Sequence, residues 1–188
     1  MRRPVLVLAS RSPRRVGLLR EAGIKFVRRP SSCPETHALK RPSAIVKALS
    51  LEKAMDVARK LPGSPVLGSD TLVFCKGKIL GKPRSRAESM RLLRLQNGSW
   101  QTVYSGVALV WLEKSLVLTG LEKSRCKVRR LAPARLEALG GKHMDKAGSY
   151  AVQDAGDEFV ESIVGRFDTV VGLPMNLVKK FMRRAGIR

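Results

Sequence analysis

The chain has 188 residues, 44% of them apolar, which can fill one globular core or two small lobes around one cleft. Lys and Arg number 37 against 15 Asp and Glu, a formal net charge of +22, so the surface attracts polyanions: nucleotides, nucleic acid or acidic lipid. Cys33, Cys75 and Cys126 are odd in number and form no CxxC pair, which argues against a disulfide framework or a zinc site and fits a reducing cytoplasm. His37 and His143 are the only histidines, too little material for a His-based metal centre or a Ser-His-Asp triad.

Arg2 and Arg3 followed by Val-Leu-Val-Leu-Ala imitate a signal peptide. The apolar part is too short, and Arg11, Arg14 and Arg15 follow at once, so a buried first strand over residues 4–9 is expected instead. The longest largely apolar run, residues 103–112, cannot span a bilayer, and no membrane association is expected. Pro13 suits the first turn of a helix with Ser12 as N-cap, and Gly23 closes that helix. A strand feeding a helix start leaves N–H groups aimed at the turn, where Ser10, Arg11, Ser12, Arg14 and Arg15 gather. Such a turn is either a phosphate site or a solvated basic turn of a basic protein.

Residues 24–28 read as a second strand, followed by a loop that carries Glu35. The steps of three and four among Ala44, Ala48, Leu51, Met55 and Ala58 predict a helix over residues 43–61. Lys53 falls on a second, thinner apolar stripe with Val46, Leu49 and Val57, either leaning toward a cleft or snorkelling to solvent. Residues 65–83 read as a hairpin turning at Lys76-Gly77-Lys78. Asp70 lies inside its first apolar run, where an unpaired charge is costly and a metal ion or cationic cluster would supply a reason. Lys82 stands between Gly81 and Pro83. Ser85 with Glu88 has capping-box spacing for a helix that closes at Asn97-Gly98. Two long strands follow, from Trp100 to Leu112 and from Ser115 to about Arg130, then a short helix from Pro133 to Leu139. Gln153 offers a donor and an acceptor suited to a base edge, or is an ordinary surface amide. A basic helix from Met175 to Arg184 ends the pattern. Alternating strands and helices, then clustered strands, indicate α/β with a mixed sheet. The Gly77–Pro83 stretch is not a P-loop: its glycines are too close and Pro83 stands where Ser or Thr must reach magnesium.

Taken in order, five blocks resemble the Maf-like nucleoside triphosphate pyrophosphatases. They are Leu8-Ala9-Ser10-Arg11-Ser12-Pro13-Arg14-Arg15, the Glu35 loop, Glu52-Lys53-Ala54, Gly68-Ser69-Asp70-Thr71 with Gly81-Lys82-Pro83, and Asp145-Lys146-Ala147-Gly148-Ser149-Tyr150 with Gln153. The tail Val171-Gly172-Leu173-Pro174 matches as well. The resemblance implies a single domain over residues 1–188, with a mixed central sheet flanked by helices and two lobes around a deep cleft (Maf/ITPase-like). It implies hydrolysis of a nucleoside triphosphate to the monophosphate and pyrophosphate with a divalent cation, Mg or Mn, by a cytoplasmic homodimer. Within it, Asp70 is the catalytic acid and a metal partner, and Glu35 a second metal carboxylate. Ser10, Arg14, Arg15, Lys53, Thr71 and Lys82 bind substrate, and Gln153 contacts the base. The Pro13-Arg14-Arg15 turn, Asp70-Thr71 and the Tyr-x-x-Gln pattern resemble the branch acting on dTTP, UTP and related pyrimidine nucleotides. Gln101 and Ser105 stand where the family usually has His and Thr, and Asp154 where Gly is common.

A competing class is a basic nucleic-acid-binding protein without catalysis, or an enzyme with nonspecific nucleic-acid contact through its basic surface. The charge favours it; 5% aromatic content and the absence of helix-turn-helix or zinc signatures argue against it.

Overall fold

The structure, a computed structural model, describes residues 5–35, 38–152 and 158–187. Apolar β-branched and leucine runs form the strands, and each of the first helices starts at a proline or a capping serine. In chain order the elements are β1 (Leu6–Leu8), α1 (Pro13–Glu21), β2 (Phe26–Arg28), α2 (Pro42–Ala58), β3 (Val66–Cys75), β4 (Lys78–Leu80), α3 (Arg86–Gln96) and β5 (Trp100–Trp111). A 3-10 turn, Leu112–Lys114, leads to β6 (Leu116–Val128), α4 (Pro133–Leu139), a second 3-10 turn (Ala147–Ser149), β7 (Val160–Val164), α5 (Phe167–Val171) and α6 (Met175–Arg184). The sheet is mixed, in the order β2-β1-β3-β5-β6-β7, with β4 on β3. β1 is parallel to β2 and β3, whereas β4 is antiparallel to β3 and β7 to β6.

The expected caps and turns are present. The Ser12 hydroxyl accepts from Arg15 N, and Ser85 Oγ accepts from Glu88 N. Lys76 and Gly77, at φ of 46° and 74°, make the hairpin turn between β3 and β4. The predicted helix over 43–61 is Pro42–Ala58, and the chain leaves it through a tighter turn in which Leu61 N reaches the Val57 and Ala58 carbonyls. β7 and α5 are elements the sequence pattern did not reveal.

The chain divides into two compact units. The first holds the chain up to Asp70, Ser105–Glu122 and the chain from Gly172 onward. Its core joins Val7, Val66, Ala108 and Val110 of the sheet to Ala54, Val57 and Ala58 of α2. The second unit holds Thr71–Tyr104 and Lys123–Val171, with a core of Val73, Cys75, Val103, Cys126 and Val128 against α3 and α4. Among the described residues, no helix is long and apolar enough to cross a membrane.

In the first unit α2 lies on bare backbone. A Cβ at Gly68 would collide with the Ser50 carbonyl and Ala54 N, and one at Gly106 with the Val46 carbonyl. Both glycines sit on the face of β3 and β5 that α2 covers, so the helix is notched into two strands at once. Alanine at either glycine is expected to cost about 1–3 kcal/mol by overpacking, read as a lower urea midpoint at unchanged m-value. Gly17→Ala in α1, whose new methyl meets nothing nearer than 3.9 Å, is expected to gain up to about 1 kcal/mol in the same assay.

Candidate active site

The notch sets the position of Lys53. Three turns into α2, and within one residue of the Gly68 contact, its side chain runs toward β3 and is 8% exposed. Asp70, two residues past Gly68 on the same strand face, is buried as well. Lys53 Nζ donates to Asp70 Oδ1 at 2.6 Å and to Glu35 Oε1 at 2.7 Å. One ammonium therefore joins two carboxylates from two different segments. Among the described residues, the buried Asp70 Oδ2 has no hydrogen-bond partner. A buried carboxylate oxygen without a donor is costly unless another group completes it.

Glu35 lies on the loop after β2, with half of its side chain in solvent. Asp56, one turn beyond Lys53 on α2, holds that loop. Its Oδ2 accepts from Ser31 Oγ and from Ser32 N, both at 2.8 Å, while Lys60 Nζ donates to Oδ1 at 2.9 Å. The sequence offered no sign of its hold on the loop, because the loop partners lie 24 and 25 positions away. The Lys60 hydrogen bond, then the Ser32 and Ser31 donors, hold its carboxyl well below the usual carboxylate range.

The turn after β1 supplies the cations. The buried Ser10 Oγ accepts from Ser12 N at 3.2 Å and from Arg15 Nη1 at 3.1 Å. Arg15 Nε donates to the Gly172 carbonyl at 2.9 Å, and Ser69 Oγ, beside Asp70, donates to that same carbonyl at 2.9 Å. Gly172 has a φ of 116°, a conformation that favours glycine, which gives the Val-Gly-Leu-Pro tail a physical purpose. Burial lowers the Arg15 pKa, the Asp70 charge opposes this, Arg14 adds to the lowering and Glu35 opposes it. Ser10, Arg14, Arg15, Glu35, Lys53 and Asp70 thus belong to one unit, and the electrostatic coupling of Arg15 reaches both carboxylates. A depression of about 550 Å³ over Val16, Arg20, Ile24 and Phe26 in this unit includes none of them.

In the second unit Lys82 is exposed and Thr71 half-buried. Gly148 N donates to the Gly81 carbonyl at 3.1 Å, so two of the blocks noted in the sequence meet. Gln96 Nε2 holds the Gly148 carbonyl at 2.7 Å, and the Ser89 and Ser149 hydroxyls share a 2.6 Å hydrogen bond. Gln153 lies outside the described residues. Among those described, no group of three or more His, Cys, Asp or Glu side chains could hold a metal.

A lysine held between two carboxylates, next to a hydroxyl- and arginine-lined turn, is the equipment of a phosphate-handling α/β protein. The model of the family described as "Maf-like protein" matches residues 5–185, and the chain belongs to that family. It is 48% identical over 181 residues to a dTTP/UTP pyrophosphatase of Elusimicrobium minutum, covering 96% of this chain and 98% of the relative. It is 40% identical over 185 residues to a dTTP/UTP pyrophosphatase of Moorella thermoacetica, covering 97% and 95%. A solved nucleoside-triphosphatase (dITP/XTP pyrophosphatase) of Mycobacterium abscessus is 16% identical with a TM-score of 0.47, covering 96% of each chain.

The Asp56 clamp generates a pH prediction. The unfolded chain protonates this group near the ordinary value of about 3.9, whereas the folded chain resists. The clamp therefore stabilises fully above that pH and its contribution is lost as pH falls below it. Asp56→Asn is expected to be less stable than the parent at pH 7, with the gap narrowing steadily as pH falls below about 4, measured by urea unfolding across the acid range.

Proposed function

We propose that this protein hydrolyses dTTP, UTP or modified pyrimidine nucleotides to the monophosphate and pyrophosphate. The observation that carries the proposal is the buried, unpartnered Asp70 Oδ2 beside Lys53, in a cluster that also holds Arg15 and Glu35. Membership of the Maf-like family and relatives named dTTP/UTP pyrophosphatase support it.

A triphosphate brings several negative charges, and attacking water meets their repulsion. Two unit charges 4 Å apart interact by about 4 kcal/mol at an effective dielectric near 20, so fixed cations can remove much of that barrier. Arg14 and Arg15 would grip phosphate oxygens, with Ser10 as a hydroxyl contact that also holds Arg15 in place. Lys53 sits close enough to steady a phosphate oxygen while donating to both carboxylates. Asp70 orients the attacking water through Oδ2 and takes its proton. Thr71 and Lys82 are proposed as further substrate contacts and Gln153 as the contact to the base edge.

The donor set fits a divalent cation. Asp70 and Glu35 would hold it, since magnesium keeps several waters and needs only one or two carboxylates. When bound, the ion would supply charge neutralisation at the phosphates and acidify water. A cytoplasmic location, supported by three free cysteines, and a homodimer are parts of the same proposal.

Pyrophosphate release measured over a panel of triphosphates, with magnesium or manganese, tests the reading. dTTP and UTP are expected to lead, and 7-methyl-GTP as the best substrate would overturn the pyrimidine assignment. Asp70→Asn is expected to remain folded and lose activity by orders of magnitude, and Lys82→Ala to lose catalysis with little loss of stability. Near-normal turnover in Asp70→Asn would reject the role given to that residue.

A further inference from the structure

Within the second unit, the two faces of the sheet are treated differently. Val73, Cys75, Val103, Cys126 and Val128 point into the core beneath α3 and α4. Alternation along the same strands turns Phe74, Trp100, Arg125 and Lys127 to the opposite face. There Trp100 is 42% exposed, Ile79 pairs with Phe74 and is exposed, and Val164 pairs with Arg125 and is 59% exposed. Arg125 Cζ lies 4.7 Å from the centre of the Trp100 ring and Lys127 Nζ 5.9 Å. Both cations reach the ring from one strand, β6, and much of the remaining indole surface faces water. Lys123 continues the basic row. Through the registers of β4 and β7, Ile79, Ser162 and Val164 are the neighbours that these strands bring to this face.

From this arrangement we propose that the open sheet face around Trp100 binds single-stranded nucleic acid. A large aromatic left in water is a stacking surface, and every base has a face to offer it. Arg125, Lys127 and Lys123 track the phosphates, and the guanidinium plane over the indole extends the stack. Charge complementarity selects this occupant over a second copy, because two such faces would oppose basic rows in a chain of net charge +22. A duplex keeps its bases stacked on each other and leaves the indole unused. An anionic bilayer would take up the indole itself, whereas here the cations lie over its ring. The few aromatics of the sequence are therefore no obstacle: one exposed tryptophan, correctly flanked, makes a platform. The inference is independent of the nucleotide chemistry assigned above.

The test uses the full chain and a fluorescein-labelled oligothymidylate or oligouridylate, followed by anisotropy at increasing salt. The parent is expected to bind the single strand better than a duplex of equal length, with quenching of tryptophan emission. Trp111 is buried in the other unit, so that quenching reports Trp100. Trp100→Ala is expected to weaken binding about tenfold, and Trp100→Phe to retain most of the affinity while losing the quench. The double variant Arg125→Ala with Lys127→Ala is expected to flatten the log–log salt slope by about 1.4. Pyrophosphate release is expected to be unchanged in Trp100→Ala, which separates failure of this proposal from failure of the enzymatic one. Equal affinity of parent and Trp100→Ala would overturn the proposal. So would equal binding of duplex, preferential binding to phosphatidylserine vesicles, or a dimer in sedimentation that dissociates when Arg125 and Lys127 are removed.

Discussion

The contact on which the active-site geometry depends is backbone against backbone: α2 seated on Gly68 and Gly106. A side chain at either position would lift the helix from the sheet. Lys53, on the same helix, would then no longer reach the aspartate, because a 2.6 Å ion pair has no slack for a displacement of a methyl group's width. The site is thus fixed first by the absence of atoms, and only then by charge.

The charge arrangement is a poor device for stability. Taking Lys53 and Asp70 out of water costs several kcal/mol per ion before their attraction repays any of it. Apolar residues of similar volume would hold β3 to α2 at least as well. The second oxygen of Asp70, buried without a donor, adds to the cost. Such an arrangement is sensible where a further partner completes it, and a phosphate with its counter-cation is one that suits two carboxylates, a lysine and a neighbouring arginine. Arg15 shows the same balance: burial works against its charge while Asp70 and Glu35 sustain it.

Much of this could be read from the chain because it is local. The Ser12 cap, the Lys76-Gly77 turn and the apolar periodicity of α2 each rest on residues within a few positions of one another. Asp70 was conspicuous as an acid inside an apolar run. Lys53 was conspicuous as a cation on an apolar stripe, although only the structure joins it to Glu35 and Asp70. The rest was hidden for a physical reason, since it depends on partners far along the chain. β7 reads Val-Glu-Ser-Ile-Val and earns its strand from pairing with β6, not from its own pattern. Asp56 is one more charge on an amphipathic helix until the loop at Ser31 and Ser32 arrives. Trp100 is only a strand residue until β6 brings its cations alongside.

The carbonyl of Gly172 receives Arg15 from the start of the chain and Ser69 from its middle. During synthesis Arg15 is added to the chain 157 residues before that acceptor exists. The turn after β1 therefore lacks that tether for most of translation. A nascent chain arrested before Gly172 lacks the latch on its arginine, although β1, β3 and α2 are already made.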